Sequence, residues 1–173
     1  HRRLYSLLFT NLSRDHLDYN KTLKDYLNSK LILFEKLLKI KGNIIFDETI
    51  DQVKKLNNIS KKRKLKKYNF GNQNSFMKIV SIQKFNDERK VEFYIDSKLY
   101  SFTTSLIGKI QIKNLLLAIL AAYLSKVKIQ DILSSIKKIK PINGRLEKIG
   151  HIRNNSKVIL DYAHTPEALK TCL

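Results

Sequence analysis

Residues 4–38 read LYSLLFTNLSRDHLDYNKTLKDYLNSKLILFEKLL, which is an apolar segment, a polar turn and a second segment rich in apolar residues. Its first part, Leu4–Phe9, is mostly apolar and predicts a short strand. Across residues 22–38 the apolar side chains recur at steps of three and four, which predicts an amphipathic helix. A strand joined to a helix by a short polar turn is typical of α/β folds with a parallel sheet.

The turn between this strand and this helix is rich in groups that bind metal ions. Asp15, His16 and Asp18 lie close together in the sequence. The ends of parallel strands face a crevice where ligands bind, so these side chains are candidate metal ligands. The same cluster would also serve to cap the helix, and spacing alone leaves both interpretations open.

Lys30 falls on the apolar stripe of the predicted helix, where an ammonium group is unusual. A cation facing a core must extend to solvent, pair with an acid or be chemically converted. Lysine reacts with carbon dioxide to give a carbamate, whose oxygens are hard donors of the kind that Mg²⁺ prefers. Spacing alone favours the plainer interpretation, in which the ammonium reaches solvent.

Helix and strand patterns alternate along the rest of the chain. Gly42 is expected to end the first helix, Asp96-Ser97 to form a hairpin turn, and Thr165-Pro166-Glu167 to start a helix. The predicted strands include residues 43–46, 91–95, 99–103 and 158–162. Residues 47–57 are predicted to form a turn and then a helix, and two further helices are predicted at residues 113–124 and Ile129–Ile136. This order indicates a mainly parallel sheet with an antiparallel flap. Asn114 lies at the predicted start of its helix and is expected to cap it.

Four sequence motifs lie along the chain. Residues 10–20 read TNLSRDHLDYN, with a lysine downstream in YLNSKLILF. Residues 106–122 read LIGKIQIKNLLLAILAA, residues 141–147 read PINGRLE, and residues 161–169 read DYAHTPEAL. These motifs resemble those of the Mur ligases, a family of ATP-dependent amide-forming enzymes. Because all four occur in the family's order, the resemblance covers nearly the whole chain and is far more specific than any single motif.

The resemblance is closest to the members that add the third amino acid to UDP-N-acetylmuramoyl-L-alanyl-D-glutamate in peptidoglycan synthesis. It implies an α/β fold in which residues 1–139 form part of a P-loop-type central, ATP-binding domain and residues 140–173 begin a Rossmann-like C-terminal domain. The implied substrates are ATP, the UDP-N-acetylmuramoyl-dipeptide and an amino acid, meso-diaminopimelate or L-lysine, with Mg²⁺ as cofactor. The implied enzyme is cytoplasmic and monomeric, and it binds neither nucleic acid nor membranes.

The resemblance also implies site residues, position by position. The family's carbamylated lysine falls on Lys30 and its metal-binding histidine on His16. Arg145 matches the arginine that reaches the ATP phosphates, so Lys30, His16 and Arg145 form the implied catalytic set. The implied nucleotide-binding residues are Gln111, Asn114, Arg145, Asp161 and His164.

The chain departs from the family pattern in several places. Ile110 and Gln111 stand where the family usually has phenylalanine and asparagine, and glutamine holds its amide one methylene farther out. The five glycines include no Walker-type phosphate loop. Residues 1–9 are also shorter than the equivalent segment of the family. We therefore expect these residues to be a piece of a longer ligase, whose phosphate loop, acidic magnesium ligand and UDP-binding domain lie outside them.

The composition is that of a basic globular protein. The formal net charge is +19 and 43% of the residues are hydrophobic. Lysines outnumber arginines 27 to 7 and are scattered, whereas nucleic-acid-binding surfaces favour arginine and interleaved aromatic residues. The densest run, KKRKLKK at residues 61–67, is expected to be a solvated loop. The excess charge suits anionic substrates instead.

Cys172 is the single cysteine, which excludes a disulfide or a cysteine-based zinc site within these residues. The longest apolar run, residues 115–124, is too short to span a bilayer.

The sequence is also compatible with other functions. The chain could be another ligase of the superfamily, such as a folylpolyglutamate ligase or the ligase that adds D-alanyl-D-alanine, or a basic nucleic-acid-binding module. It could also be inert and fold poorly alone because sheet edges are exposed.

Overall fold

A computed structural model describes residues 4–12, 22–85 and 87–172 of the chain. Helices and strands alternate in the first part of the chain, and consecutive strands follow in the middle. In chain order the elements are β1 (Leu4–Phe9), α1 (Leu23–Ile32), β2 (Leu38–Asp47), α2 (Val53–Lys62), β3 (Lys66–Gly71), β4 (Met77–Phe85), β5 (Glu88–Ile95), β6 (Lys98–Thr104), α3 (Lys109–Leu124), α4 (Ile129–Ile136), β7 (Glu147–Ile152), β8 (Ser156–Leu160) and α5 (Pro166–Cys172).

The main sheet of the described residues has the order β1-β2-β3-β4-β5-β6. Strands β1 to β4 run parallel, whereas β4, β5 and β6 pair antiparallel. The loop at residues 72–76 is too short for a return crossover, so β4 pairs with only the last two residues of β3. The prediction of an α/β fold with a mainly parallel sheet is confirmed, and the antiparallel strands continue this sheet beyond the end of β3.

Helix α1 has the predicted start but ends earlier than predicted. The Thr22 side chain accepts a hydrogen bond from the Asp25 amide (3.1 Å), as an N-cap residue does. The regular helix ends at Ile32, and Leu33–Leu37 form one π-helical turn that leads directly into β2. The prediction of a helix to residue 38 therefore covers α1 and this turn together.

Gly42 lies inside β2, so the prediction that it ends the first helix is wrong. Between the pairs Leu4–Leu38 and Ser6–Asn43, β2 has four residues where β1 has one, and β2 bulges there. A Cβ at residue 42 would lie 2.7 Å from a backbone carbonyl oxygen. The glycine is therefore needed for close backbone packing at a bulge.

Helices cover both faces of the sheet. Ile44 and Ile45 of β2 are both fully buried, and they point to opposite faces because side chains alternate along a strand. Ile44 packs in a core with Leu27, Phe34 and Leu56, on the side of α1 and α2. Ile45 belongs to the core on the side of α3 and α4, to which α3 contributes Ile112, Leu115, Leu116, Leu117, Ile119 and Leu120.

The basic run at residues 61–67 is only partly a loop, which corrects the prediction. Lys61 and Lys62 form the last turn of α2, where cations interact favourably with the helix dipole. Arg63 donates to the carbonyl oxygen of Phe34 (2.9 Å), and Leu65 is buried. The run therefore joins helix to strand through a short turn that is fixed to the core.

Helix α3 begins at Lys109, four residues before the predicted start. Asn114 therefore lies inside the helix, and the interpretation of this residue as a helix cap is wrong. Helix α4 has the predicted bounds, Ile129–Ile136. Within the described ranges, no helix is long and apolar enough to cross a membrane.

The last part of the chain forms a separate two-stranded antiparallel sheet from β7 and β8, followed by α5. Strand β8 lies two residues before its predicted position, and β7 was not predicted because its sequence, EKIGHI, contains a glycine and lacks regular alternation. The predicted start of α5 is confirmed, since the Ala168 amide donates to Oγ1 of Thr165 (3.2 Å).

The turn between β5 and β6 gives a stability prediction. Asp96 and Ser97 both have positive φ, 50° and 62°, as a type I′ turn requires. Asp96 also accepts a hydrogen bond from the Tyr123 hydroxyl (2.9 Å), so the change is made at the second position. Ser97→Gly should raise the free energy of unfolding by roughly 0.5–1 kcal/mol, because glycine adopts positive φ without steric cost.

Thermal and urea unfolding of the natural protein that contains these residues would measure the change. Ser101→Gly, in the extended strand β6, is the matched control and should lower stability. Equal losses in both variants would contradict the turn geometry.

Candidate functional site

A cavity of about 480 Å³ opens between the start of α3, the segment after β1, and residues 141–172, the C-terminal segment. It brings together five residues that the sequence analysis singled out: Gln111, Asn114, Arg145, Asp161 and His164. The other lining residues are Asn11, Tyr26, Lys109, Ile110, Ile142, Leu146, Tyr162, Ala163, Thr165, Ala168 and Cys172.

The start of α3 forms one wall of the cavity. Gly108 precedes the helix, and no side chain caps its first turn. Free N–H groups at a helix start attract anions. Gln111 and Asn114 are three residues apart, so they lie on the same face of the helix, which is the face that lines the cavity.

Three neighbouring side chains of the C-terminal segment form the opposite wall. The Arg145 guanidinium lies 5.3 Å from the centre of the Tyr162 ring, and this ring lies 4.9 Å from that of His164. Nδ1 of His164 also contacts the Tyr162 carbonyl oxygen (3.0 Å), which requires a proton on Nδ1. Tyr162 thus connects two residues that the sequence analysis singled out, although its place in the DYAHTP motif was its only signal.

Asp161 holds the C-terminal segment together. One carboxylate oxygen accepts a hydrogen bond from the Leu146 amide (2.7 Å), and the other accepts one from the Cys172 thiol (3.4 Å). Burial raises the pKa of the Cys172 thiol, and the hydrogen bond to Asp161 raises it further. Both oxygens of Asp161 therefore have partners within the segment.

The two walls meet at two contacts. The side-chain amide of Gln111 donates to the Arg145 carbonyl oxygen (2.7 Å). Gly108 has a φ of 85°, and a Cβ there would lie 2.2 Å from Cδ1 of Leu146. The absence of a side chain at residue 108 therefore lets Leu146 pack against the start of α3.

Lys30 lies directly behind the cavity. Its Nζ donates to the Asn11 carbonyl oxygen (3.0 Å) and lies 4.6 Å from the centre of the Tyr26 ring. Asn11 and Tyr26 both line the cavity, whereas Lys30 does not. The half-buried ammonium thus contacts a carbonyl oxygen and an aromatic face on the cavity side.

Asp15, His16 and Asp18, which are the predicted metal-binding residues of the turn, lie outside the described residues. Within the residues that are described, no cluster of three or more His, Cys, Asp or Glu side chains could hold a metal ion. The role of His16 therefore stays a prediction.

An ion pair between a buried aspartate and a partly exposed lysine, not singled out from the sequence, ties α3 to the end of β2. Asp47 is 1% exposed, and one of its oxygens accepts hydrogen bonds from the Thr49 amide and hydroxyl (both 2.8 Å). Its other oxygen lies 2.6 Å from Nζ of Lys113, which also donates to the Thr49 hydroxyl (2.9 Å). An acid directly after an apolar strand was the available signal, but its partner is far away in the sequence. Because Lys113 precedes Asn114, the pair fixes this part of α3.

The sequence pattern of the Mur ligase middle domain matches residues 3–122. This chain belongs to the Mur ligase family. It is 34% identical over 165 residues to the UDP-N-acetylmuramoyl-L-alanyl-D-glutamate–2,6-diaminopimelate ligase of Rickettsia bellii, a match that covers 95% of this chain and 34% of the relative. The chain thus spans about a third of the length of the curated relatives it matches.

Solved Mur ligase structures have the same fold. MurF from Acinetobacter baumannii superposes with a TM-score of 0.81 at 15% identity, covering 96% of this chain and 36% of that one. MurF from Thermotoga maritima, solved in complex with ADP, gives a TM-score of 0.72 at 18% identity, covering 96% and 37%. The predicted Mur ligase resemblance and fold are therefore confirmed.

The contact at Gly108 gives a prediction for this Mur ligase chain. Gly108→Ala should lower the free energy of unfolding by about 1–3 kcal/mol, because an L side chain is strained at a φ of 85° and would displace Leu146. Gly150→Ala is the matched control, since nothing lies within 4 Å of a Cβ there. Unfolding midpoints of both variants provide the test, and equal effects would contradict the close packing.

The Asp47–Lys113 pair gives a second prediction. Asp47→Ala should cost on the order of 1–3 kcal/mol of stability, because it removes the buried partner of three polar groups. A double-mutant cycle with Lys113→Met should show a coupling energy of about 1 kcal/mol. The exposed pair Lys90–Glu92 is the control, with a smaller coupling expected. Additive effects at Asp47 and Lys113 would show that the pair does not stabilise the protein.

Proposed function

We propose that this chain carries the nucleotide-binding part of an ATP-dependent ligase that adds the third amino acid to UDP-N-acetylmuramoyl-L-alanyl-D-glutamate in peptidoglycan synthesis. The observation that carries the proposal is the cavity in which Gln111 and Asn114 of α3 face Arg145, Asp161 and His164. The name of the Rickettsia bellii relative supports the reaction. The incoming amino acid is meso-diaminopimelate or L-lysine.

The two walls suit the two ends of ATP. The carboxamides of Gln111 and Asn114 provide donors and acceptors for the edge of an adenine ring. The Gln111 nitrogen already donates to the Arg145 carbonyl, so its oxygen is the atom offered to adenine, whereas Asn114 offers both groups. The Arg145 guanidinium, which stacks on Tyr162, presents planar donors suited to phosphate oxygens.

The reaction requires the control of negative charge. The substrate carboxylate attacks the γ-phosphorus of ATP, which releases ADP and forms an acyl phosphate. The amine of the amino acid then attacks the acyl carbon, phosphate leaves with the bonding electrons, and loss of a proton gives the amide. Arg145 and the first turn of α3 would stabilise the phosphate charge in both steps.

We propose that residues 1–139 and 140–173 belong to two domains that close on the nucleotide. Arg145 and His164 would then reach ATP only in the closed arrangement, since they are in the second domain. Closure also excludes water, which would hydrolyse an acyl phosphate.

Mg²⁺, which the family implies, fits the donor chemistry near Lys30. The ammonium form cannot bind a cation. Lys30 Nζ lies 3.0 Å from the Asn11 carbonyl oxygen, so a carbamate on Nζ would add hard oxygen donors beside that carbonyl oxygen. We propose that carbamylated Lys30 and His16 hold the ion. When bound, it would neutralise phosphate oxygens.

Substitution of Lys30 in the natural protein that contains these residues tests the proposal. Lys30→Ala should lower ligation on the order of 100-fold, because a group that stabilises developing charge is lost. Lys30→Arg should not restore activity, since arginine cannot form the carbamate. Lys24→Ala, on the exposed face of the same helix, is the matched control and should retain activity.

The assay measures ATP-dependent ligation of meso-diaminopimelate or L-lysine to UDP-N-acetylmuramoyl-L-alanyl-D-glutamate, with and without bicarbonate. The preferred amine would identify the third amino acid. Full activity of Lys30→Arg would reject the carbamate, and a wild-type protein that ligates neither amine would reject the proposed reaction.

A further inference from the structure

The carboxylate of Asp87 connects the main sheet to the C-terminal segment. Asp87 lies in the turn between β4 and β5. Its two oxygens pair with Lys148 of β7 (2.6 Å) and with Lys157 of β8. These partners are 61 and 70 residues away along the chain, so the contact is a feature of the tertiary fold.

Charge explains why this carboxylate matters. Lys148 and Lys157 reach the same carboxyl group from neighbouring strands, so their ammonium groups would repel each other without it. Hydrogen bonds from Lys148 and Lys157 hold the pKa of Asp87 well below its ordinary value. Asp87 is therefore ionised at neutral pH and bridges two cations.

The bridge lies on the two strands that carry the second cavity wall. Lys148 is three residues after Arg145, and Lys157 is four residues before Asp161. A force that holds β7 and β8 therefore also holds Arg145 and Asp161. The hydrogen bond from Gln111 to the Arg145 carbonyl is a second attachment of the same segment.

We propose that Asp87 is a positioning residue, whose bridge to Lys148 and Lys157 holds the C-terminal segment in the arrangement that encloses the nucleotide. This inference rests on the proposed function, because it assigns the bridge to closure on ATP. Asp87 acts through Arg145 and Asp161 and does not itself line the cavity.

The exposure of Asp87, Lys148 and Lys157 determines how strongly the bridge affects ATP binding and how that effect depends on salt. Ion pairs with this degree of exposure have modest strength and are screened by salt. If only the closed arrangement binds the ligand, the apparent dissociation constant rises in proportion as the closed fraction of the protein falls. We therefore expect a change of roughly threefold in the KM for ATP at low salt, with little change in kcat at saturating ATP.

Charge reversal in the natural protein that contains these residues tests the bridge. Asp87→Lys should raise the KM for ATP about threefold in 50 mM NaCl, which is the size of effect expected from the loss of one exposed ion pair. The difference should largely disappear in about 0.5 M NaCl because salt screens exposed charges. Combining Asp87→Lys with Lys148→Glu and Lys157→Glu restores opposite charges and should recover most of the loss.

Glu92→Lys provides the matched control. Glu92 pairs with Lys90 of the same strand, β5. The substitution therefore makes the same change of charge as Asp87→Lys but removes no contact with the C-terminal segment. It should leave the KM for ATP and its salt dependence unchanged. Failure of the triple variant to recover, or an equal effect of Glu92→Lys, would overturn the proposal.

A distance measurement separates the bridge from the reaction. Spin labels on cysteines placed at the exposed positions Lys84 and His151 report the separation of β4 from β7. Asp87→Lys should broaden the distance distribution at low salt, and the charge-swapped triple variant should narrow it again. An unchanged distribution would overturn the bridge, whereas a wild-type protein with the expected distances but no ligation would reject only the proposed function.

Discussion

The burial of α3 against the sheet is the constraint on which the cavity depends. Six apolar residues of α3 are buried, and a fully buried side chain of this kind contributes about 1.5–3 kcal/mol. This burial fixes the axis of the helix, while the pair between Asp47 and Lys113 ties its second turn to the end of β2. The start of α3, with Gln111 and Asn114, is consequently held rigidly at the cavity.

The opposite wall has a different kind of attachment. The C-terminal segment contacts α3 through the hydrogen bond of Gln111 and the packing of Leu146 on Gly108, and it contacts the turn before β5 through Asp87. These contacts are few and partly exposed, so they break more easily than the core of α3. One rigid wall and one weakly attached wall suit the proposed site, which would admit a large anionic ligand and then enclose it.

Local signals predicted much of the fold. The strand β1, the helix Ile129–Ile136, the turn at Asp96-Ser97 and the start of α5 each depend on residues within one turn or strand, and the structure has all four. The prediction for Gly42 failed because glycine ends helices and also permits close backbone contact, and only the neighbouring strand decides between these uses. Strand β7 was missed because its stability depends on pairing with β8.

The candidate site was predictable only where motifs specified it. Gln111, Asn114, Arg145, Asp161 and His164 line one cavity, but their roles came from a resemblance and not from spacing. The partners Asp47 and Lys113 are 66 residues apart, and no periodicity connects them. Contacts of this range require the folded chain.

Several acidic residues of this basic chain have specific partners in the folded structure. With 15 acids against 34 basic residues, each carboxylate has many possible partners. Among the described residues, Asp161 is the acid that lines the cavity, beside Lys109 and Arg145. Both of its oxygens accept hydrogen bonds from the C-terminal segment, so its charge is partly compensated there. The lining therefore combines two cations with one partly compensated acid, and this charge balance suits the anionic ligand proposed above.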